Sequence, residues 1–359
     1  MCDAIQPERP TLILGIESSC DETSCALVAD GRQVHSNVVA SQIELHARYG
    51  GVVPEIASRA HLEAVNTVIA QALEQAGKPR EEITAIAIAN QPGLIGSLLI
   101  GLMAAKTLAW AWGKPLIAVN HIHAHAYSPA LDAEPIDYPA VALVASGGHT
   151  SLYRCGSPTD VELIGATIDD AAGEAFDKVA AILKLGFPGG PAVDRVARNG
   201  DPKAVELPRT LLKGQSLDFS FSGIKTAVLY HVNGVPGAVR SVAAPAGGGK
   251  GAENLSPQEV ADIAASFQSA VVDVLCLKLR RAVKATSART IVIGGGVAAN
   301  SALRAGVIKL GAKLNVAVRM PHLKYCGDNA AMIAGLAYHL LRGGQTVGLD
   351  LNATATVRR

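Results

Sequence analysis

Three histidines fall within five residues in the stretch Asn120-His121-Ile122-His123-Ala124-His125, directly after the apolar run Pro115-Leu116-Ile117-Ala118-Val119. If a helix starts near Ile122, His121 and His125 sit one turn apart on one face, and His123 faces away from them. Two imidazoles so placed can hold one divalent ion, with bonds of about 2.0–2.1 Å. A single histidine on a helix is usually packed or solvated, but three so close together favour a ligand pair. A pair does not close a metal site. Asp328, in Cys326-Gly327-Asp328-Asn329-Ala330-Ala331, opens a C-terminal helix. It reads either as that helix's N-cap or, placed across a cleft, as the third ligand.

Other polar turns stand beside apolar runs. Thr11-Leu12-Ile13-Leu14-Gly15-Ile16 leads into Glu17-Ser18-Ser19-Cys20-Asp21-Glu22-Thr23-Ser24, then into Cys25-Ala26-Leu27-Val28-Ala29 and the hairpin signal Asp30-Gly31. Hydroxyls and carboxylates in such a turn suit phosphate or metal-phosphate contact, though a solvated turn has the same composition. The strand-like run 140–145 turns through Ser146-Gly147-Gly148-His149-Thr150 into a second apolar segment, the same layout again. Two halves opening alike suggest a duplicated architecture with a cleft between them. The glycine-rich turn Gln91-Pro92-Gly93-Leu94-Ile95-Gly96-Ser97 enters a helix over 98–112, and helix N-termini attract anions. Gly294-Gly295-Gly296-Val297-Ala298-Ala299-Asn300 lets backbone press against a purine or ribose, with Asn300 in reach of a ribose hydroxyl.

The positioning elements follow from periodicity. A third strand is predicted over 33–41, a long helix over 56–76 and a buried strand over 83–89. Asp169 and Asp170 form the acidic start of a helix within 167–183. Pro188-Gly189-Gly190-Pro191 forces a turn before a helix over 192–198, and 218–226 reads as strand into helix. A helix capped at Ser256, with Pro257 in its first turn, runs to about 286, where Arg280, Arg281 and Lys284 suit its dipole. The Gly-, Ala- and Pro-rich stretch 234–253 reads as a mobile surface insertion.

At 359 residues, with 49% hydrophobic and 18% charged residues and 36 glycines, the chain fits a two-domain α/β protein rather than a disordered one. A formal net charge of +1 excludes a global field for nucleic acid, so any RNA contact must come from a local patch or a partner. Six scattered cysteines without a C-x-x-C pair point to reduced thiols. The first ten residues lack a signal-peptide layout. The longest apolar stretch, Leu98 to Trp112, is broken by Lys106 and reads as too short to span a bilayer. A cytoplasmic protein with no membrane partner is expected.

Taken in order, Gly15-Ile16-Glu17-Ser18-Ser19-Cys20-Asp21-Glu22-Thr23-Ser24, the His121/His125 pair, Ser146-Gly147-Gly148-His149-Thr150, Gly173-Glu174-Ala175-Phe176-Asp177-Lys178, Pro188-Gly189-Gly190-Pro191, Phe219-Ser220-Phe221-Ser222-Gly223, Gly294 to Asn300 and Asp328-Asn329 closely resemble the TsaD family. These are the tRNA threonylcarbamoyladenosine transferases, once called glycoproteases. The resemblance runs from about Gly15 to Ala334. It implies an α/β fold of two domains, shared by actin, sugar kinases and the heat-shock 70 ATPases, with an interdomain cleft. Residues 1–136 with 322–359 would form one domain and 137–321 the other. It implies transfer of the threonylcarbamoyl group from threonylcarbamoyl-AMP to N6 of adenosine 37, in tRNAs reading codons that begin with A. His121, His125 and Asp328 would bind one divalent metal, Fe(2+) or else Zn(2+). The adenylate would contact Val144, Ala145, Ser146, Gly147, Gly148, Asp177, Gly190, Asp194 and Asn300. Partners would be tRNA, a TsaB-like paralogue and a TsaE-like ATPase. Asp21 and Glu22, by position, are candidates for proton handling or for orienting the acceptor. The chain departs from the family's common Gly-Pro-Gly at Gln91-Pro92-Gly93, and His123 stands where relatives often carry another polar residue.

Three rival readings remain at this level. A phosphotransferase or ATPase of the same fold shares the phosphate turns but needs no His-His-Asp site. A metalloprotease needs a general-base Glu beside the ligands, as in His-Glu-x-x-His, and residues 122–124 provide none. A non-catalytic scaffold leaves the clustered polar groups without a purpose.

Overall fold

The computed structural model describes residues 10–210, 214–234, 249 and 251–356. Most of the expected insertion at 234–253 lies outside the described residues. The chain divides into two compact units. One comprises Met1–Gln42, Val52–Glu134 and Asp328–Arg359; the other comprises Ile43–Gly51 and Pro135–Gly327.

The first unit is a sheet of order β3-β2-β1-β4-β5, made of β1 (Leu12–Glu17), β2 (Glu22–Ala29), β3 (Gln33–Ser41), β4 (Ile83–Gln91) and β5 (Leu116–Asn120). β1, β2 and β3 pair antiparallel as hairpins, whereas β4 runs parallel to β1 and β5 parallel to β4. Asp30 and Gly31 take positive φ angles of 49° and 74° in the β2–β3 turn, as the Asp-Gly pair predicts. Helix α1 (Ile43–Ala47) belongs with the second unit, and α2 (Pro54–Ala76), α3 (Ile95–Trp112) and α4 (His121–Tyr127) with the first. Leu12, Leu14 and Ile16 of β1 join a core with Val65 and Ile69 of α2 and Leu102 and Ala105 of α3. The opposite face takes the C-terminal helix α10 (Ala330–Arg342). Strands covered on both faces read as unbroken apolar runs, which is why β1 shows no alternation.

The second unit repeats the plan. Its strands are β6 (Ala140–Ala145), β7 (Thr150–Cys155), β8 (Val161–Ala166), β9 (Thr290–Gly294) and β10 (Ala317–Arg319), in the order β10-β9-β6-β7-β8. With β6 in the place of β1, the order and the parallel or antiparallel sense of each pair are the same. Helices α5 (Ala172–Ile182), α6 (Gly189–Ala197), α7 (Ser222–Asn233), α8 (Pro257–Thr286) and α9 (Ser301–Leu314) complete it. Its core includes Leu143, Phe176, Phe219, Phe267, Val271 and Ile293. Ser256 caps α8 in a capping box with Glu259, and Pro257 opens the first turn.

Several expectations need correction. The apolar segment expected over 98–112 is an 18-residue helix beginning at Ile95, and both it and α8 are long and apolar enough to cross a membrane. Most of the apolar window of α8 is buried in the unit's own core. In α3, Leu98, Leu102, Ala105 and Ala109 are buried while Ile95, Leu99, Met103 and Trp110 are exposed. The segment 218–226 contributes only an isolated bridge, Thr167 to Phe219, before α7. Asp169 does not open α5. It accepts hydrogen bonds from the Phe221 and Ser222 amides and the Ser220 and Ser222 hydroxyls, and so caps α7. Asp328 is not the N-cap of α10 (Ala330–Arg342) either, because Asn329 holds that place and accepts from the Met332 amide.

The seat of α10 depends on Gly15. A methyl group there would lie 2.5 Å from the Ala330 carbonyl oxygen and 2.8 Å from the Ala334 amide nitrogen, both backbone atoms that cannot turn aside. Gly15→Ala is expected to lower stability by about 1–3 kcal/mol, the usual cost of overpacking. A thermal-unfolding midpoint unchanged from wild type would contradict this.

Candidate functional site

Helix α4 starts where β5 ends. Asn120 closes the strand, and its side-chain oxygen accepts the amides of Ile122 at 2.9 Å and His123 at 3.2 Å. This cap sets His121 as the first helical residue, so His121 and His125 share one face. Their rings meet edge to face with centroids 4.6 Å apart. Asp328 reaches them from the entry to α10. That entry is pinned by two further bonds, as the Ala330 amide donates to Ser24 Oγ at 2.9 Å and the Ala331 amide to Asn37 Oδ1 at 3.2 Å. Asp328 Oδ1 then lies 3.0 Å from His125 Nε2 and 3.5 Å from His121 Nε2.

Behind His121 stands Glu17, fully buried at the end of β1. Its Oε2 is 2.9 Å from His121 Nδ1, with Ser19 Oγ at 3.2 Å from the same nitrogen, and its Oε1 accepts the Ser19 amide at 2.5 Å. A carboxylate only accepts, so Nδ1 carries the proton, and in the neutral ring Nε2 presents its lone pair toward Asp328. Burial by itself would depress the His121 pKa, but the charges of Glu17 and Asp328 outweigh it and raise the value to about 9. His125 goes the other way. Burial holds its pKa below the ordinary value, and the bond to Asp328 offsets that only in part.

The donor set fits a divalent ion. Two nitrogens and an oxygen around a shared ion with bonds of about 2.0–2.1 Å would stand about 3.3 Å apart in a tetrahedral site, close to the 3.0 and 3.5 Å found here. All three donor atoms lie within 4.8 Å of one another. A carboxylate on the far nitrogen of a ligating histidine fixes ring orientation and raises its basicity, and Glu17 stands in that relation to His121. His125 Nδ1 is buried without a hydrogen-bond partner among the described residues. Three protein ligands leave coordination positions for substrate. His123 lies off this face, partly buried, with burial depressing its pKa.

Asp21 and Glu22 lie in the turn from β1 to β2 and at the start of β2. Glu22 Oε1 accepts from Ser41 Oγ at 3.2 Å, and the Asp21 carbonyl accepts the Gln42 amide at 3.0 Å. Burial, reinforced by the nearby charges of Asp328 and Asp21, pushes the Glu22 carboxyl well above its usual range. Burial likewise raises the Cys20 thiol, with Asp21 and Asp328 adding to it, which makes that thiol inert.

In the second unit the turn from β6 to β7 is tight. The Ser146 amide donates to the His149 carbonyl at 2.8 Å, leaving Gly147 and Gly148 exposed. Val144 and Ala145 bury their side chains, so only their backbone can meet a ligand. The start of α5 closes on this turn, with the Gly173 amide on the Ser146 carbonyl at 3.2 Å. Asp177 Oδ1 accepts the Gly189 amide at 2.7 Å at the first residue of α6, next to Gly190, where a Cβ would meet nothing within 4 Å. Asn300 and Asp194 have structural duties. Asn300 accepts the Leu303 amide as the N-cap of α9 and donates to Gln268 Oε1 at 2.7 Å. Asp194 accepts the Ser301 hydroxyl at 2.7 Å and the Ser301 amide at 3.2 Å.

The residues missed from sequence are Glu17 and Ser19. The available signal was a carboxylate ending an apolar strand, where an unpaired charge would be costly.

The family model described as TsaD, tRNA N6-adenosine threonylcarbamoyltransferase, matches residues 33–335. A protein of that name from Symbiobacterium thermophilum is 50% identical over 95% of this chain and 95% of its own. Another, from Syntrophotalea carbinolica, is 49% identical over 95% of each chain. Among solved structures, component A of the Acidaminococcus fermentans (R)-2-hydroxyglutaryl-CoA dehydratase matches with a TM-score of 0.51 and 15% identity, covering 92% of this chain and 98% of that one. T. kodakarensis HypF matches with a TM-score of 0.58 and 14% identity, over 94% of this chain and 48% of its own. These structures share the fold of this chain.

Two outcomes are expected at the histidine cluster. Glu17→Gln should weaken retention of a divalent ion by about 10–100-fold, as loss of a ligand's supporting carboxylate usually does. Equilibrium dialysis against Zn2+ or Fe2+ measures it, and equal affinity would contradict the supporting role. With the metal-free His121 pKa near 9, an ion must displace a proton at neutral pH. Wild-type affinity should therefore rise with pH up to about 9 and level off above it. Flat affinity from pH 7 to 9 would count against this assignment.

Proposed function

This chain belongs to the TsaD family and is a transferase; we propose that it moves the threonylcarbamoyl group from threonylcarbamoyl-AMP to N6 of adenosine 37. The acceptors would be tRNAs reading codons that begin with A, and the products t6A and AMP. The observation that carries this reading beyond the family is the His121–His125–Asp328 cluster, its two imidazoles buried and Glu17 behind it. A phosphotransferase of the same fold has no use for such a cluster.

The adenylate is a mixed anhydride, so its carbamoyl carbon is already activated. In the transfer a C–N bond forms to N6, the C–O bond to phosphate breaks, and N6 gives up one proton. An exocyclic aromatic amine is a weak nucleophile, and positioning must supply much of the rate. His121, His125 and Asp328 would hold one divalent metal, Fe(2+) or Zn(2+), which when bound supplies Lewis-acid polarisation of an oxygen. The Ser146-Gly147-Gly148 turn supports binding of the adenylate, since its two exposed glycines let an anion come close to backbone amides. Gly190, with open space around it, supports approach of the nucleotide beside Asp177. Asn300 and Asp194 would act by shaping that surface through α9. Glu22, which keeps its proton at neutral pH, would donate a hydrogen bond, and Asp21 would orient the amine or take its proton.

Companion proteins belong to the reading, namely a TsaB-like paralogue and a TsaE-like ATPase. The near-neutral chain supports dependence on others for tRNA capture. The exposed stripe Ile95, Leu99, Met103 and Trp110 along α3 supports protein docking.

The test combines the protein with its companions, threonylcarbamoyl-AMP and an adenosine-37 tRNA, followed by mass spectrometry of the digested nucleosides. Modified adenosine is expected, and His121→Ala should abolish it. AMP release without modified adenosine would mean that a partner or the acceptor is missing, and the absence of both products would favour the phosphotransferase reading. Asp21→Ala should retain adenylate binding but lower transfer at least about 100-fold, in the range for a general base. Unimpaired transfer would remove Asp21 from the mechanism.

A further inference from the structure

Helix α2 carries a buried histidine that the metal site does not use. His61 is fully buried, on the same face as Ala57, Val65 and Val68. An imidazole among apolar neighbours is costly unless its nitrogens are bonded, and here both are. Nε2 lies 3.0 Å from the Cys20 carbonyl oxygen, and Nδ1 lies 2.8 Å from the Thr23 hydroxyl. A carbonyl has no proton to give, so Nε2 carries the proton and Nδ1 accepts from Thr23.

The two anchor points bracket two particular residues. Cys20 immediately precedes Asp21, and Thr23 immediately follows Glu22. One rigid ring therefore ties both ends of the acidic pair to a 23-residue helix. The pair is held from the strand side as well, by the Gln42 amide on the Asp21 carbonyl and the Ser41 hydroxyl on Glu22 Oε1. Gln42 itself donates to the Ala57 carbonyl at 3.4 Å, one turn before His61 on α2. The Ser19 carbonyl, just upstream, accepts the Leu94 amide at the start of α3 at 2.8 Å. A turn so short and so polar would otherwise sample many backbone states.

We propose that His61 is a positioning residue for the transfer reaction, holding the Asp21–Glu22 turn in its working geometry through the Cys20 carbonyl and the Thr23 hydroxyl. This rests on the assignment of Asp21 and Glu22 to the acceptor side of the reaction. His61 bonds the two ends of the turn, so its loss acts first on the turn.

The experiment uses the full chain with its companions and compares His61→Leu, His61→Gln, Thr23→Val and Thr23→Ser. In His61→Leu, amide hydrogen exchange across Cys20–Glu22 should accelerate while peptides from the rest of α2 keep their protection. Turnover should fall at least about tenfold, the scale on which small misplacements act, with KM for threonylcarbamoyl-AMP and bound metal within about twofold of wild type. Glutamine places an N–H close to the position of Nε2, so His61→Gln should recover much of the loss. Thr23→Val should lower turnover and Thr23→Ser should not. In an Asp21→Asn background, His61→Leu should cost less than about threefold further, because the two act through one turn.

Unchanged exchange at Cys20–Glu22 in His61→Leu overturns the clamp. So does a loss shared equally by kcat, KM and metal content, which marks a general packing defect. Faster exchange with unchanged turnover confirms the clamp but removes Asp21 and Glu22 from the chemistry, so the two failures are distinguishable. If His61→Leu does not fold, Thr23→Val, which keeps the shape of the side chain, decides the same exchange and turnover comparison.

Discussion

The close approach of α10 to β1 at Gly15 is the constraint on which the candidate site depends. A strand covered on both faces needs a residue without a side chain wherever a helix backbone presses against it. With α10 seated there, and its first amides held by Ser24 and Asn37, Asp328 arrives beside a histidine 203 residues away in sequence. The three donor atoms come together because of how the helix entry is seated.

The electrostatics of the first unit follow from this crowding. Glu17, Asp21, Glu22 and Asp328 share a small, mostly buried space with two imidazoles. In such surroundings charge is expensive unless compensated. The protein divides the burden by keeping a proton on Glu22 and, without an ion, a second proton on His121, while His125 stays neutral. A divalent cation would replace one of those protons with two positive charges, which gives a carboxylate-rich pocket a physical reason to favour an ion over protonation.

The two units carry the same strand order but use the equivalent turn differently. Between β1 and β2 the turn is acidic and largely buried, and it is tied to α2 and α3 by His61 and the Ser19 carbonyl. Between β6 and β7 it is Ser-Gly-Gly, exposed, with bare backbone. One plan thus places carboxylates and imidazoles together in one copy and bare glycine backbone in the other. The difference lies in a few side chains at one hairpin.

The sequence by itself determined much of this. Apolar runs and their punctuation placed the strands, the capped helix from Pro257 and the repeat of the plan. The spacing of His121 and His125 put both on one helical face, because that periodicity is local. What sequence could not decide was which of two adjacent residues, Asp328 or Asn329, caps α10 and which faces the histidines. Both side chains can cap, and the choice was made by the way the helix entry docks on β2 and β3. Asp169 likewise reads as the start of the helix that follows it, whereas the fold gives it to α7 instead. Glu17 gave no periodic signal, and the helical spacing that puts His61 on the buried face of α2 says nothing of its partners. Their roles arise from contacts with residues far along the chain, which only tertiary packing brings within hydrogen-bond distance.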